Sequence, residues 1–373
     1  MLPYVAITCV AALVTVIVTG VCRKVAWRFK ILTPVRERDV HTEPIPRLGG
    51  IGIATGFIAS LALAAGLPAF AGLFADRQLW TLMVGTAAIA LLGLVDDIWE
   101  LDWAAKLAGQ ILVAGGLAYG GVQLISIPLF GVSVGSSRLS LLLTVLIFVT
   151  FINAVNFVDG LDGLASGIIA ISAVAFFLYC LLLEGSSGLI SYITPAKLTI
   201  AALLGACLGF LPHNFHPARI FMGDSGSMSL GVIVAAADVM VTGQLNPAVL
   251  GNRQILAAIL PIALALLVVA IPLLDMILAV LRRLARGQSP FKADRGHLHH
   301  RLLRRGHSHR WVVFIMYLWT AVILFPTVAL IQFSPPLVAA ITAPVILALL
   351  ALTANVFSGF TIKPRRKRNH DHA

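Results

Sequence analysis

Long apolar runs, recurring along the whole chain and separated by short polar segments, constrain this protein more than any single motif. A helix needs about 20 mostly apolar residues to cross the hydrocarbon core of a bilayer. Eleven segments of the 373-residue chain have that character: about 3–22, 48–68, 78–95, 104–121, 139–155, 163–183, 197–212, 228–243, 254–281, 311–331 and 335–357. Only 12% of residues are charged, against roughly 25% in soluble domains, and the mean hydropathy is +0.96. The expected fold is therefore all-α: a polytopic integral membrane protein of about 11 transmembrane helices. The fourth segment is the weakest because of Gly115, Gly116 and Gly120, where small residues suit close helix packing. The first has no basic leader and no small-residue cleavage pattern, so it reads as a spanning helix rather than a removed signal peptide.

Lysine and arginine set the orientation. With the N-terminus outside, the inner loops fall at about 23–47, 96–103, 156–162, 213–227 and 282–310, and a basic tail follows at 358–373. These inner segments with Lys106 hold 23 of the 27 Lys and Arg residues, and the outer side keeps Arg77, Arg138, Lys197 and Arg253. That asymmetry obeys the positive-inside rule and puts the C-terminus in the cytoplasm. A formal net charge of +11 in so apolar a chain points to anionic lipid or anionic substrate, not to nucleic acid. Cys9, Cys22, Cys180 and Cys207 lie in or beside apolar runs without paired spacing, which gives neither a disulfide framework nor a thiolate metal site.

The inner loops carry nearly all the reactive side chains. Asn153–Gly167 reads N-A-V-N-F-V-D-G-L-D-G-L-A-S-G between two apolar runs, where an uncompensated carboxylate costs several kcal/mol and polar groups usually have a task. Asn153 and Asn156 share a face if the backbone there is helical, as do Asp159 and Asp162. Asp96 and Asp97 close the third run, with Lys106 shortly after; adjacent carboxylates bind hard cations or act as a base, and Lys106 suits a phosphate. Asp224 lies in F-M-G-D-S-G-S, either as a carboxylate beside a glycine-lined approach or as a simple helix N-cap. The first loop, with His41, Pro44, Pro46, Arg47, Gly49 and Gly50, suits an anion at a helix start, or is ordinary positive-inside charge. The last loop, 282–310, holds nine basic residues and five histidines, among them Arg295, His297, His299 and His300. A cationic clamp on a diphosphate fits it better than zinc, which usually takes spaced ligands from two elements; a plain lipid-surface patch is the remaining reading.

Five of these segments, in this order, resemble the polyprenyl-phosphate N-acetylhexosamine-1-phosphate transferase family (glycosyltransferase family 4): P-R-L-G-G at 46–50, D-D at 96–97 with Lys106, N-x-x-N-x-x-D-G-L-D-G-L-A at 153–165, F-x-G-D-S-G-S at 221–227 and D-R-G-H-L-H-H at 294–300. The H-x-H-H run preceded by D-R resembles the bacterial undecaprenyl-phosphate GlcNAc-1-phosphate transferase branch. The phospho-MurNAc-pentapeptide translocases differ, with another histidine pattern and ten spans. His307, His309 and extra arginines extend the basic loop beyond the family motif.

The resemblance implies one transmembrane catalytic domain over residues 1–357, in the cell membrane, with its active site facing the cytoplasm. It implies transfer of GlcNAc-1-phosphate from UDP-GlcNAc to polyprenyl phosphate with release of UMP, as the first lipid-linked step of a cell-envelope polysaccharide. Another UDP-N-acetylhexosamine or UDP-MurNAc-pentapeptide is the alternative donor, and a lipid or solute transporter is the competing class. Mg2+ is the implied cofactor, with Mn2+ as a substitute, and a homodimer is compatible with the family. By resemblance, Asp224 with Asp96 or Asp159 would hold the metal, and Asp96, Asp97, Asp159 and Asp162 form the catalytic set. Lys106, Asn153, Asn156, Arg295, His297, His299, His300, Arg47 and His41 would bind substrate. Direct attack by the lipid phosphate and a covalent route through Asp96 or Asp97 both remain open on the sequence.

Overall fold

A computed structural model describes residues 1–29, 44–124, 136–187, 190–242 and 308–353. In chain order the helices are α1 (Leu2–Arg28), α2 (Gly49–Ala65), α3 (Gln78–Trp99), α4 (Trp103–Tyr119), α5 (Ser137–Val158), α6 (Leu164–Ser187), α7 (Ile190–Asn214), α8 (Gly223–Thr242), α9 (His309–Ala329) and α10 (Pro335–Thr353). A 3-10 turn, Ala71–Phe74, joins α2 to α3, and no strand occurs among the described residues. Eight of these helices are long and apolar enough to cross a membrane. The expected spans at 48–68 and 104–121 form helices of 17 residues each, α2 and α4. The expected ninth span, 254–281, lies outside the described residues, so the count of eleven is neither reached nor excluded. The chain is a multi-pass membrane protein.

α8 is the axis of the bundle. Every residue from Ser225 to Thr242 is buried, with α2, α3, α5 and α7 packed around it. Its sequence explains why: from Ser225 to Thr242 it is mostly glycine, serine, alanine and valine, and small residues let backbones approach where apolar burial alone drives no association. A methyl on Gly231 would meet the backbone of Ile152 in α5, and one on Gly93 of α3 would fall on the backbone of Asp224 and Ser225. α1 and α7 pack in the same direction, tied by a bond from Thr8 Oγ1 to the Ala201 carbonyl at 3.0 Å. α10 is peripheral: Leu337, Ile341, Leu347 and Leu350 are exposed, and only Leu349 is buried among its described residues.

Alternating helix directions bring the C-terminal ends of α3, α5 and α7 and the N-terminal ends of α2, α4, α6, α8 and α9 to one face. The turns there are built locally. Glu100 takes a left-handed conformation (φ 48°) that ends α3, and Asp102 caps α4 by accepting from Ala105 N at 3.2 Å. On the opposite half, Lys197 Nζ pairs with Glu184 Oε2 at 2.5 Å and stands 4.8 Å from the centre of the Tyr4 ring. Asp238 accepts from Thr242 Oγ1 at 3.4 Å. Both sites answer the need of a buried charge or carboxyl for a partner.

Candidate active site

Four helix ends build a knot of charge. Asp96, in the last turn of α3, accepts from Leu101 N at 2.8 Å through Oδ1 and from Lys106 Nζ at 2.9 Å through Oδ2. Lys106, one turn into α4, also donates to Asp224 Oδ2. Asn156, near the end of α5, donates through Nδ2 to Asp224 Oδ1 at 2.5 Å and to Ser227 Oγ at 2.9 Å. Asp224 sits in the first turn of α8, but its carboxylate is directed at Lys106 and Asn156. The simple N-cap reading of Asp224 therefore gives way. The side chains are half-buried, with Asp96 11%, Lys106 21% and Asp224 27% exposed, so the knot is sheltered yet reachable.

The cap of α8 is Asp97. Its Oδ1 accepts from Asp224 N at 2.8 Å and its Oδ2 from Ser225 N at 3.0 Å, which satisfies orphan donors of that helix with a charge-assisted pair. Gly223 supports this approach: its φ is +66°, and a Cβ there would fall on the Asp97 carboxylate. Asp97 or Asp96 was expected to deprotonate or orient the acceptor phosphate; in this structure each oxygen of Asp97 accepts from an amide at the start of α8. The first loop docks beside it. Phe221 N bonds to the Pro46 carbonyl at 2.8 Å, Gly49 N to Phe221 O at 2.9 Å and Gly50 N to Met222 O at 2.9 Å. A side chain on Gly50 would collide with Gly226, so the glycine pair at 49–50 serves close backbone approach. This docking brings Arg47 within electrostatic reach of Asp159.

The segment between α5 and α6 is helical only in its first part. α5 runs on through Asn156 to Val158, so Asn153 and Asn156 are both helical. Asn153 donates to Gln110 Oε1 at 2.7 Å and to the Val149 carbonyl at 2.8 Å, which ties α5 to α4, whereas Asn156 enters the knot. Residues 159–163 form a turn, so Asp159 and Asp162 do not share a helix face. Burial, reinforced by Asp224 and Asp97, pushes the Asp159 carboxyl up to about 7, with Arg47 opposing. Asp162 is buried and accepts from His216 Nδ1 at 2.8 Å and Ala218 N at 3.1 Å. His216 and His309 stack, ring centres 4.2 Å apart and planes at 12°. The sequence marked His309 only as part of the basic loop that extends beyond the family motif and gave His216 no role; the signal available for their meeting was that loop reaching the start of α9 and the H-N-F-H-P run shortly before Asp224.

Residues 79–242 match glycosyl transferase family 4. The decaprenyl-phosphate N-acetylglucosaminephosphotransferase of Mycobacterium tuberculosis H37Rv is 43% identical over 318 residues, 84% of this chain and 78% of that protein. The chain belongs to glycosyl transferase family 4. A probable undecaprenyl-phosphate N-acetylglucosaminyl 1-phosphate transferase of Bacillus subtilis is 28% identical over 83% of the chain and 80% of its own length. A phospho-N-acetylmuramoyl-pentapeptide-transferase of Desulforudis audaxviator is 30% identical over 68% and 80%. The reaction class named across these family 4 relatives is phospho-sugar transfer.

Seen as a family 4 site, the knot has the donors that a hard divalent cation takes. Asp96 and Asp224 both accept from the single ammonium of Lys106. Two carboxylates so close repel unless a cation lies between them, and oxygen donors of this kind fit Mg2+, which is commonly held by one or two carboxylates plus substrate phosphates. The residues therefore fit the metal. His41, Arg295, His297, His299 and His300 lie outside the described residues.

Proposed function

We propose that this chain transfers GlcNAc-1-phosphate from UDP-GlcNAc to polyprenyl phosphate at the cytoplasmic face of the cell membrane. A phosphate oxygen of the lipid bonds to the β-phosphorus of the sugar nucleotide. The bond from that phosphorus to the bridging oxygen breaks, and the bridging oxygen leaves with UMP. The observation that carries this reading is the convergence of Asp96, Lys106, Asn156 and Asp224 at four helix ends, in a chain 43% identical to an N-acetylglucosaminephosphotransferase. Both substrates are anionic, so alignment and charge neutralisation dominate the chemistry.

Asp224 and Asp96, with Asp159 nearby, would hold Mg2+, which supplies positive charge against the diphosphate as its bridge breaks. Lys106, which donates to both carboxylates, offers its ammonium to the phosphates. Asn156 keeps the Asp224 carboxylate aligned through its amide. Asp97 holds the start of α8 and takes no part in bond making. Arg47 adds positive charge beside Asp159, and Trp99 and Trp103, both strongly exposed at the ends of α3 and α4, suit the headgroup depth at which a lipid phosphate lies.

The similarity to phospho-N-acetylmuramoyl-pentapeptide transferases makes the donor the point to test. Purified protein is given polyprenyl phosphate, Mg2+ and either UDP-GlcNAc, UDP-GalNAc or UDP-MurNAc-pentapeptide, and UMP is measured. UMP release with UDP-GlcNAc at least tenfold faster than with the others supports the reading. Preference for the pentapeptide donor refutes it, and net movement of lipid or solute without UMP would put the chain among transporters.

A further inference from the structure

Below the charge knot, three polypeptide segments meet through one carboxylate and two imidazoles. Asp162, on the α5–α6 turn, accepts through one oxygen, Oδ2, from both His216 Nδ1 and Ala218 N. His216 lies on the strap between α7 and α8, and His309 at the first residue of α9 stacks on its ring. The same elements are joined by further bonds that leave little play. Asn214 Oδ1 accepts from Gly163 N at 2.9 Å while its Nδ2 donates to Ile220 O at 3.0 Å. Tyr317 of α9 donates its hydroxyl to Gly163 O, and Arg310 Nε donates to the His216 carbonyl at 3.0 Å.

We propose that Asp162, His216 and His309 are positioning residues, a carboxylate–imidazole–imidazole ladder that fixes the Asp159-bearing turn against the Asp224-bearing strap. The inference rests on the proposed function and removes Asp162 from the reacting set. Its logic is the spacing of the two groups it joins. Asp159 lies three residues before Asp162, and the strap that carries Ala218 runs directly into Gly223 and Asp224. A shift of either segment changes how the carboxylates meet a common cation. The ladder needs a hydrogen-bond donor at position 216 and a flat ring at position 309. What His309 offers His216 is a ring face at 4.2 Å, so the ladder as proposed asks position 309 for a flat ring.

That difference sets the experiment. Mn2+ binding to the full chain purified in detergent is followed by electron paramagnetic resonance, and UMP release is assayed beside it. His309→Ala is expected to weaken Mn2+ about tenfold, within the range seen when groups behind metal ligands are removed, and to lower kcat while KM for the sugar nucleotide changes less than about threefold. His309→Phe, a flat ring without nitrogen, is expected to stay within about threefold of the parent on both counts. His216→Asn, which keeps a donor toward Asp162, is expected to follow the Phe variant.

A folded His309→Phe protein as impaired as the alanine variant overturns the proposal, because a ring nitrogen would then be doing acid–base or metal chemistry. So does an alanine variant equal to the parent, and so does Zn2+ that co-purifies with the parent and is lost from His309→Phe. Should the alanine variant elute as aggregate, the phenylalanine variant decides alone. The Mn2+ arm uses no donor, so the expected binding pattern without UMP release refutes the transferase reading and leaves the ladder standing.

Discussion

Asp96 and Asp97 are neighbours in sequence and are turned to different tasks, because successive residues of a helix point about 100° apart. Asp96 faces Lys106, and Asp97 faces the first amides of α8. The pair was legible as a carboxylate cluster. Its division was not, because the amide that claims Asp97 lies 127 positions away, and a distant N–H leaves no mark on local pattern. The two roles separate on mutation. Asp224→Asn is expected to lower Mg2+-dependent turnover by about 10²-fold or more with its melting temperature within a few degrees of the parent. Asp97→Asn turns an NH2 toward one of the two α8 amides that Asp97 accepts from, costs about 1–3 kcal/mol, and lowers melting temperature and turnover together. An Asp224→Asn protein with undiminished turnover removes that carboxylate from the site. Asp159 adds a pH signature. Its folded carboxyl titrates at about 7, above the ordinary value of about 3.9, so folding favours its protonated form. As pH rises from about 4 to 7 the unfolded chain releases this proton first, and the metal-free protein loses stability over that window. Thermal unfolding in EDTA across the range checks this: Asp159→Asn should flatten the decline, and an unchanged slope contradicts the assignment.

Among the elements, α8 shows how much patterning reveals. The run G-D-S-G-S announces its start, and the helix begins at Gly223. α5 runs on to Val158, past the span end expected at about 155, because Phe157 and Val158 continue the apolar helical pattern beyond the amide. That extension makes Asn156 a helical residue able to reach Asp224. Asn153, expected on the substrate, donates to Gln110 in this structure, and the Asp162–His216 bond spans 54 positions. Neither partner could be named from spacing. Packing of α3 on α8 yields a prediction at this scale. In Gly93→Ala the added methyl lands on backbone that cannot rotate away, so the variant should lose about 1–3 kcal/mol and lose turnover at temperatures where it remains folded. Gly115→Ala, with nothing within 4 Å of the added methyl, should be neutral or slightly stabilising. Equal effects of the two, measured by thermal unfolding and UMP release, would mean that close approach at Gly93 does not set the site.

For the whole molecule, segmentation into apolar runs fixed the all-helical membrane class, and the helix directions explain why residues scattered from Arg47 to His309 meet on one face. The Lys and Arg asymmetry leads us to propose that this face is the cytoplasmic one. In a cysteine-free background, a membrane-impermeant maleimide should label Arg77→Cys, at the start of α3, in intact cells. Ser308→Cys, just before α9, should react only after permeabilisation. The reverse pattern would place the site on the outer face, away from cytoplasmic sugar nucleotides. The central claim is that the knot of Asp96, Lys106, Asn156 and Asp224 moves a phospho-sugar rather than a sugar. UDP-GlcNAc carrying an isotopic label on its β-phosphorus, incubated with the purified protein, polyprenyl phosphate and Mg2+, tests this most directly. The label should pass into the lipid fraction with one unlabelled UMP released per label transferred. Label retained in water-soluble UDP, with GlcNAc alone on the lipid, would contradict the account.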